Sequence, residues 1–208
     1  MARPRRRNFI EDSMPLSPPA PREHRHTRQI ECRGYRREDG LWDIEGHLTD
    51  VKSYAFYNAF RGQMEAGEPV HNMWVRLTVD AELKVHAAEA ETIAGPYRIC
   101  PQAAPAVEQL TGLTIGPGWR GKIRQHIGGT NGCTHIVEML QPLATVAIQT
   151  VFADRRKWSD AAGRQDKNEK PPHINSCYAL RSDGEAVRQH YPAWYTGPAT
   201  TDDPTARG

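Results

Sequence analysis

The sequence lacks paired cysteines. Its four, Cys32, Cys100, Cys133 and Cys177, are scattered through 208 residues, and no CxxC occurs. Zinc sites usually draw on close pairs, so a structural zinc is not expected. A strong charge of one sign is also missing. The net charge is +2 with 25% charged residues, which by itself points to no nucleic-acid partner. Long apolar runs are missing too. The best candidate, from Ile136 to Phe152, is interrupted by Glu138, Gln141, Pro142 and Gln149, so no membrane span is expected. The basic N-terminus has no apolar segment behind it, which argues against a secretory signal. With no export signal the thiols read as reduced and the chain as cytoplasmic.

What is present starts with a basic, proline-rich stretch. Residues 1–27 show no apolar period and read as a flexible tail. The RPRRR run in it suits either an anionic partner or a solubilising arm. From Gln29 the pattern alternates. Ile30, Cys32 and Gly34 oppose Glu31, Arg33 and Tyr35. Asp39-Gly40 is a hairpin signal, after which Ile44, Gly46 and Leu48 oppose Asp43, Glu45, His47 and Thr49. VKSYAFYNAFRGQMEAGEPVHN reads as strand running into loop. Met73, Val75, Leu77 and Val79 then alternate with Trp74, Arg76, Thr78 and Asp80, and LKVHAAEAET continues the pattern. Gln29 to about Thr92 should form an antiparallel sheet with one apolar and one polar face.

The second half has helical periodicity. PQAAPAVEQLTG and GWRGKIRQHIGG read as short helices, the second closed by Gly128-Gly129. Thr134 is placed to cap a longer helix, in which Ile136, Met139, Leu140, Leu143, Val146, Ala147 and Phe152 form an apolar face. Pro142 predicts a kink or break near Met139 to Gln141. DRRKWSDAAGRQDKNEKPP reads as a solvated linker, and HINSCYALRSDGEAVRQHYPAWYTG as a small closing element. The expected fold is α+β: an antiparallel sheet in the N-terminal half with helices packed on one face. It would occupy residues 28–195 as a single domain, with a second tail at 196–208.

Several groups of residues could carry chemistry. Gly116 to Gly121 spells GPGWRG, the letters of a dinucleotide fingerprint, but no buried parallel βαβ unit surrounds it. His135 and Glu138 are neighbours on a helix, where a carboxylate can orient an imidazole for proton transfer. With Thr145 and Gln149 they form a polar stripe that either meets water or lines a site. Cys133 and His135 could join a metal site if partners came from elsewhere. Tyr35, His47, Trp74 and Arg76 occupy the polar sheet face, with Asp50 and Lys52 near one strand end. Arginine with tryptophan suits an aromatic or anionic ligand, and equally an exposed face with cross-strand ion pairs. By count, Glu89 and Glu91 project from the apolar face of their strand, making Glu89 a candidate base.

CRGYRREDGLWDIEGHLTD, AGEPVHNMWVRLTVD, LTGLTIGPGW, GGTNGCTHIVEMLQPLATVAIQT and the closing INSCYALRSDGEAVRQHYP resemble successive blocks of a bacterial family, domain of unknown function 2889. The resemblance covers about Pro15 to Tyr195. It implies activity on lignin-derived aromatic dimers of the phenylcoumaran type, opening the furan ring and releasing formaldehyde to leave a stilbene. That reaction can be written without cofactor or metal. A base removes the alcohol proton, the C–C bond breaks in retro-aldol fashion, and the electrons form the new double bond and expel the aryl oxygen. Candidate base pairs are His135 with Glu138, or His47 with Asp50. Arg76 or Lys52 could stabilise the phenolate. Tyr35, Trp74, Glu89 and Trp119 complete the candidate substrate pocket, with Trp74 and Trp119 holding the rings. The expected partner is a small aromatic substrate, with no membrane. A non-catalytic binding or scaffold protein, or a metal-dependent enzyme using Cys133 and His135, remain the rival readings. An exposed aromatic sheet face would suit a homodimer.

Overall fold

The computed structural model describes residues 16–162, 170–171 and 173–198, without the side chains of 155–162. The arginine-rich run and residues 199–208 lie outside the described residues. Residue contacts group the chain into two compact units, Met1–Arg155 and Arg156–Gly208.

The first unit is built on a four-stranded antiparallel sheet. β1 (His26–Arg36) and β2 (Trp42–Lys52) form a hairpin whose turn places Gly40 at φ +87°, a conformation that favours glycine. A small hairpin, β3 (Phe56–Asn58) with β4 (Gly62–Met64), precedes β5 (Pro69–Val79). β6 (Val85–Ala94) closes the order β1-β2-β5-β6. The expected tail boundary at residue 27 falls two residues inside β1. A 3₁₀ helix, Cys100–Leu110, and two α-helices follow, α1 (Trp119–Ile127) and α2 (Thr134–Ala162). This is the α+β architecture that the alternation and the later helical periodicity predict.

Strand alternation decides what faces the helices. On β2, Trp42, Ile44, Leu48 and Asp50 are buried. On β5, Met73, Val75, Leu77 and Val79 join them. α2 packs Ile136, Met139, Leu140, Leu143, Ala147 and Val151 into the same core. Each large side chain so buried stabilises the fold by about 1.5–3 kcal/mol. Two strand glycines let the helix lie close. A Cβ on Gly46 would meet Leu143 at 3.2 Å, and one on Gly34 would collide with Thr150. At the far end, Trp42 Nε1 donates to Asp154 at 2.9 Å.

Four local expectations change. α2 runs continuously through Pro142 to Ala162, so the proline neither breaks it nor ends it, and the charged stretch after Phe152 begins as helix. Core contacts on both sides of Pro142 hold the helix together, and alanine, arginine and lysine favour its extension. Thr134 is the first helical residue, and the Cys133 carbonyl accepts from Val137 N–H at 3.0 Å. Thr134–Asp154, with a mean hydropathy of 1.4, is long and apolar enough by length and composition to cross a membrane, contrary to the expectation of no such segment. Here its apolar face is spent on the sheet. Finally, β6 carries a bulge. Val79 pairs with Val85 but Thr78 pairs with Ala87, leaving His86 as an extra residue. The parity flips after it, so Glu89 and Glu91 point away from the core.

In the second unit, a 3₁₀ turn (Tyr178–Leu180) and α3 (Glu185–His190) gather around buried Ile174 and Val187.

Candidate functional site

Asp50 is the one acidic side chain at core parity on β2, and it is 1% exposed. A carboxylate at such a place must be neutralised or fully hydrogen-bonded. Sheet register supplies the partners. Arg28 on β1 and His71 on β5 are the residues directly opposite Asp50. The Arg28 guanidinium donates from Nε to Oδ1 at 2.8 Å and from Nη2 to Oδ2 at 2.7 Å. His71 Nδ1 lies 2.9 Å from Oδ2, and His26 Nε2 lies 3.1 Å from Oδ1. The first turns of α2 complete the cluster from above. His135 Nε2 is 3.8 Å from Asp50 Oδ2, and its ring lies against that of His71 with centroids 3.7 Å apart. Glu138 accepts a hydrogen bond from Arg28. On the other side of the His135 ring, Cys133 Sγ is 3.8 Å from Nδ1.

The electrostatics follow from this packing. Burial alone would raise the Asp50 carboxyl. The hydrogen bonds and charge of Arg28, with the bond from His26, outweigh it and hold Asp50 down at about 2. Asp50 is therefore ionised at neutral pH. Burial pushes His71 below the ordinary 6.5, helped by its neighbour His135; burial and the charge of Arg28 do the same to His135. Both shifts favour the neutral imidazole, and because ionised Asp50 can only accept, His71 donates to it from Nδ1.

A cavity of 730 Å³ adjoins this cluster, between α1 and the start of α2, and Glu138 belongs to both. Arg120 and Arg124 of α1, Ile127 and Thr134 also line it. Its size is in the range of small-molecule sites.

The sequence candidates fall into two groups on opposite sides of the sheet. Asp50, His135 and Glu138 meet on the helix-covered side. His47, Trp74, Arg76 and Glu89 lie together on the open face. His47 stacks on Trp74 with centroids 4.0 Å apart and shares a 2.8 Å hydrogen bond with Asn72. Arg76 donates to Glu45 at 2.8 Å and to Glu89 at 2.7 Å. The pairing of His47 with Asp50 therefore does not form: odd and even residues of β2 point to opposite faces. Glu89 is an exposed ion-pair partner and not a core-facing base. Tyr35 is exposed on β1. Lys52 Nζ lies 4.1 Å over the Phe56 ring, away from Arg76. Trp119 is buried and donates to the Leu140 carbonyl at 3.2 Å, so it holds the core rather than a ligand. Glu138 turns to Arg28 while its charge still acts on His135, and Asp50 Oδ2 lies 3.8 Å from His135 Nε2.

Sequence reasoning missed Arg28, His26 and His71. Parity could have found two of them. Arg28 shares the face of Ile30 and Cys32, and His71 that of Met73 and Val75, so each is a polar residue on an apolar register.

Sheet, helices and cluster define an α+β protein with a buried carboxylate–imidazole centre beside a small-molecule-sized cavity. The GPGWRG stretch leads from Ile115 into α1, within an antiparallel fold, so its glycines make a turn and not a dinucleotide site. The chain belongs to the family described as Protein of unknown function (DUF2889), whose profile matches residues 26–149. Those bounds run from the first residue of β1 into α2 and contain every member of the Asp50 cluster. No curated protein and no solved structure matches the chain.

Proposed function

We propose that this chain is a lyase acting on aromatic dimers of the phenylcoumaran type, opening the furan ring and releasing formaldehyde to leave a stilbene. The observation that supports it most is the convergence of a buried carboxylate, two imidazoles and an arginine beside a cavity of suitable volume. The reaction needs a basic atom for the alcohol proton and a cation for the departing aryl oxygen. The Glu138 carboxylate lines the cavity and supplies the basic atom. Arg28 is one third exposed and remains positive at any working pH, so it suits the phenolate. Asp50 holds Arg28 and His71 in place. The atoms balance without an oxidant: the alcohol becomes formaldehyde, and the aryl ether becomes a phenol.

The purified protein, mixed with a phenylcoumaran dimer, should produce stilbene absorbance and formaldehyde in equal amounts. Arg28→Ala and Glu138→Gln should slow both products together. Neither product from the intact protein, with or without added divalent metal, would set this substrate class aside.

A further inference from the structure

The cluster contains more than an acid–base site requires. Two imidazoles lie in contact above one carboxylate oxygen, each delivered by a different element, and the pair shares no donor–acceptor bond that would explain the contact. We propose that Asp50, His71 and His135 bind one first-row divalent transition-metal ion.

Geometry carries this. Asp50 Oδ2, His71 Nδ1 and His135 Nε2 all lie within 4.8 Å of one another. Oδ2 is 2.9 Å from the first nitrogen and 3.8 Å from the second. Ligands bound at about 2.0–2.2 Å to one ion stand roughly 3.0–3.5 Å apart, so small side-chain movements close the site. The chemistry agrees. Two imidazoles and one carboxylate select zinc, iron(II) or their neighbours over calcium or magnesium. Three protein ligands also leave coordination positions open.

The surroundings match those of a ligand set. Arg28 bonds both Asp50 oxygens and His26 bonds Oδ1, which orients the carboxylate with Oδ2 between the guanidinium and the imidazoles. The far nitrogen of His135 faces Cys133 Sγ, which places Cys133 behind the ligand and not among the donors. Arg28 does not cancel the site's negative charge, because Glu138 and Asp50 share it: two carboxylates against one guanidinium leave one net negative charge for a dication. Where an ion binds His71, the proton that Nδ1 donates to Asp50 moves to Nε2, the other ring nitrogen. A dication held here would act as a Lewis acid toward an oxygen in the adjoining cavity.

The proposal stands on the placement of these three side chains and not on the identity of the substrate. It is tested without one. The chelator-treated 208-residue chain is titrated with Zn²⁺ by equilibrium dialysis, and with Co²⁺ by visible absorption. One equivalent per chain is expected, with a cobalt spectrum showing nitrogen and oxygen ligation. His71→Ala and His135→Ala should weaken binding by more than about 100-fold, beyond what loss of an outer partner costs. His47→Ala, on the open face, should bind as the parent does. Absence of a stoichiometric ion, or binding that survives both ligand substitutions, overturns the proposal. Should either variant fail to fold, the Co²⁺ spectrum of the parent decides: no imidazole ligation means no site. A protein that binds the ion yet releases no formaldehyde would retain the metal site and lose only the lyase reading.

Discussion

Arg28 and Asp50 face each other across β1 and β2, and the guanidinium bonds both carboxylate oxygens. The same guanidinium reaches Glu138 on α2. One side chain therefore ties an edge strand, the carboxylate and the helix together. A planar fork can do this, and a point charge cannot.

Arg28→Ala should leave the buried Asp50 anion short of its main partner and cost about 3 kcal/mol, the low end for a broken buried pair because Arg28 is partly exposed. Arg28→Lys should restore less than half of that. Urea denaturation of the three proteins measures it, and equal stability of parent and alanine variant would contradict the role.

Gly34 lies under Thr150, where no side chain fits. Gly34→Val should lift α2 off β1 and destabilise by about 1–3 kcal/mol, as overpacking does. Thr150→Ala in the same chain should recover part of it, because the two positions couple. A double-mutant cycle showing simple additivity would mean that the helix does not rest on Gly34.

Asp80 accepts from the Glu82 and Lys84 amides at 3.0 and 2.9 Å and from His86 Nε2 at 2.7 Å. Burial opposes its ionisation, but the His86 bond and the two amides lower it below the usual 3.8. The unfolded chain then binds the proton more readily than the folded one. Asp80 therefore stabilises above pH 3.8, and that contribution is lost as pH falls through its folded value. Asp80→Asn should cost about 1 kcal/mol at pH 7 and progressively less in acid. Denaturation across pH 2–7 reads the difference, and a constant gap would refute the ionic contribution.

Trp74 and His47 stack on the face away from the Asp50 cluster. Trp74→Ala should lower stability by about 0.5–1.5 kcal/mol. Formaldehyde release should stay within about twofold of the parent, as expected for distant, independent positions. A large loss of turnover with the fold intact would move the site to the open face.

Much of the sheet is legible because alternation is a local signal. Leu48 beside Thr49, or Val75 beside Arg76, reveals a face from a few residues. α2 is legible by the same logic at helical spacing, although its continuity through Pro142 is not. Proline weakens a helix locally, and Leu140 and Leu143 restore it through the core. Glu89 shows the limit of counting: one extra residue at His86 inverts the face of everything after it, and only pairing with β5 reveals the bulge.

The sequence by itself determined the α+β class, the alternating strands and the chemistry-bearing candidates, because propensity and periodicity act over a few residues. It offered His135 with Glu138 and His47 with Asp50 as two separate pairs, the second joining Asp50 to a histidine on the opposite face of the sheet. Tertiary structure decided the partnership. Cross-strand register brought Arg28 and His71 to Asp50 from 22 and 21 residues away, and helix docking brought His135 from 85 residues away. Long-range pairing of this kind depends on where the whole apolar face is buried, and no short stretch of sequence carries that information.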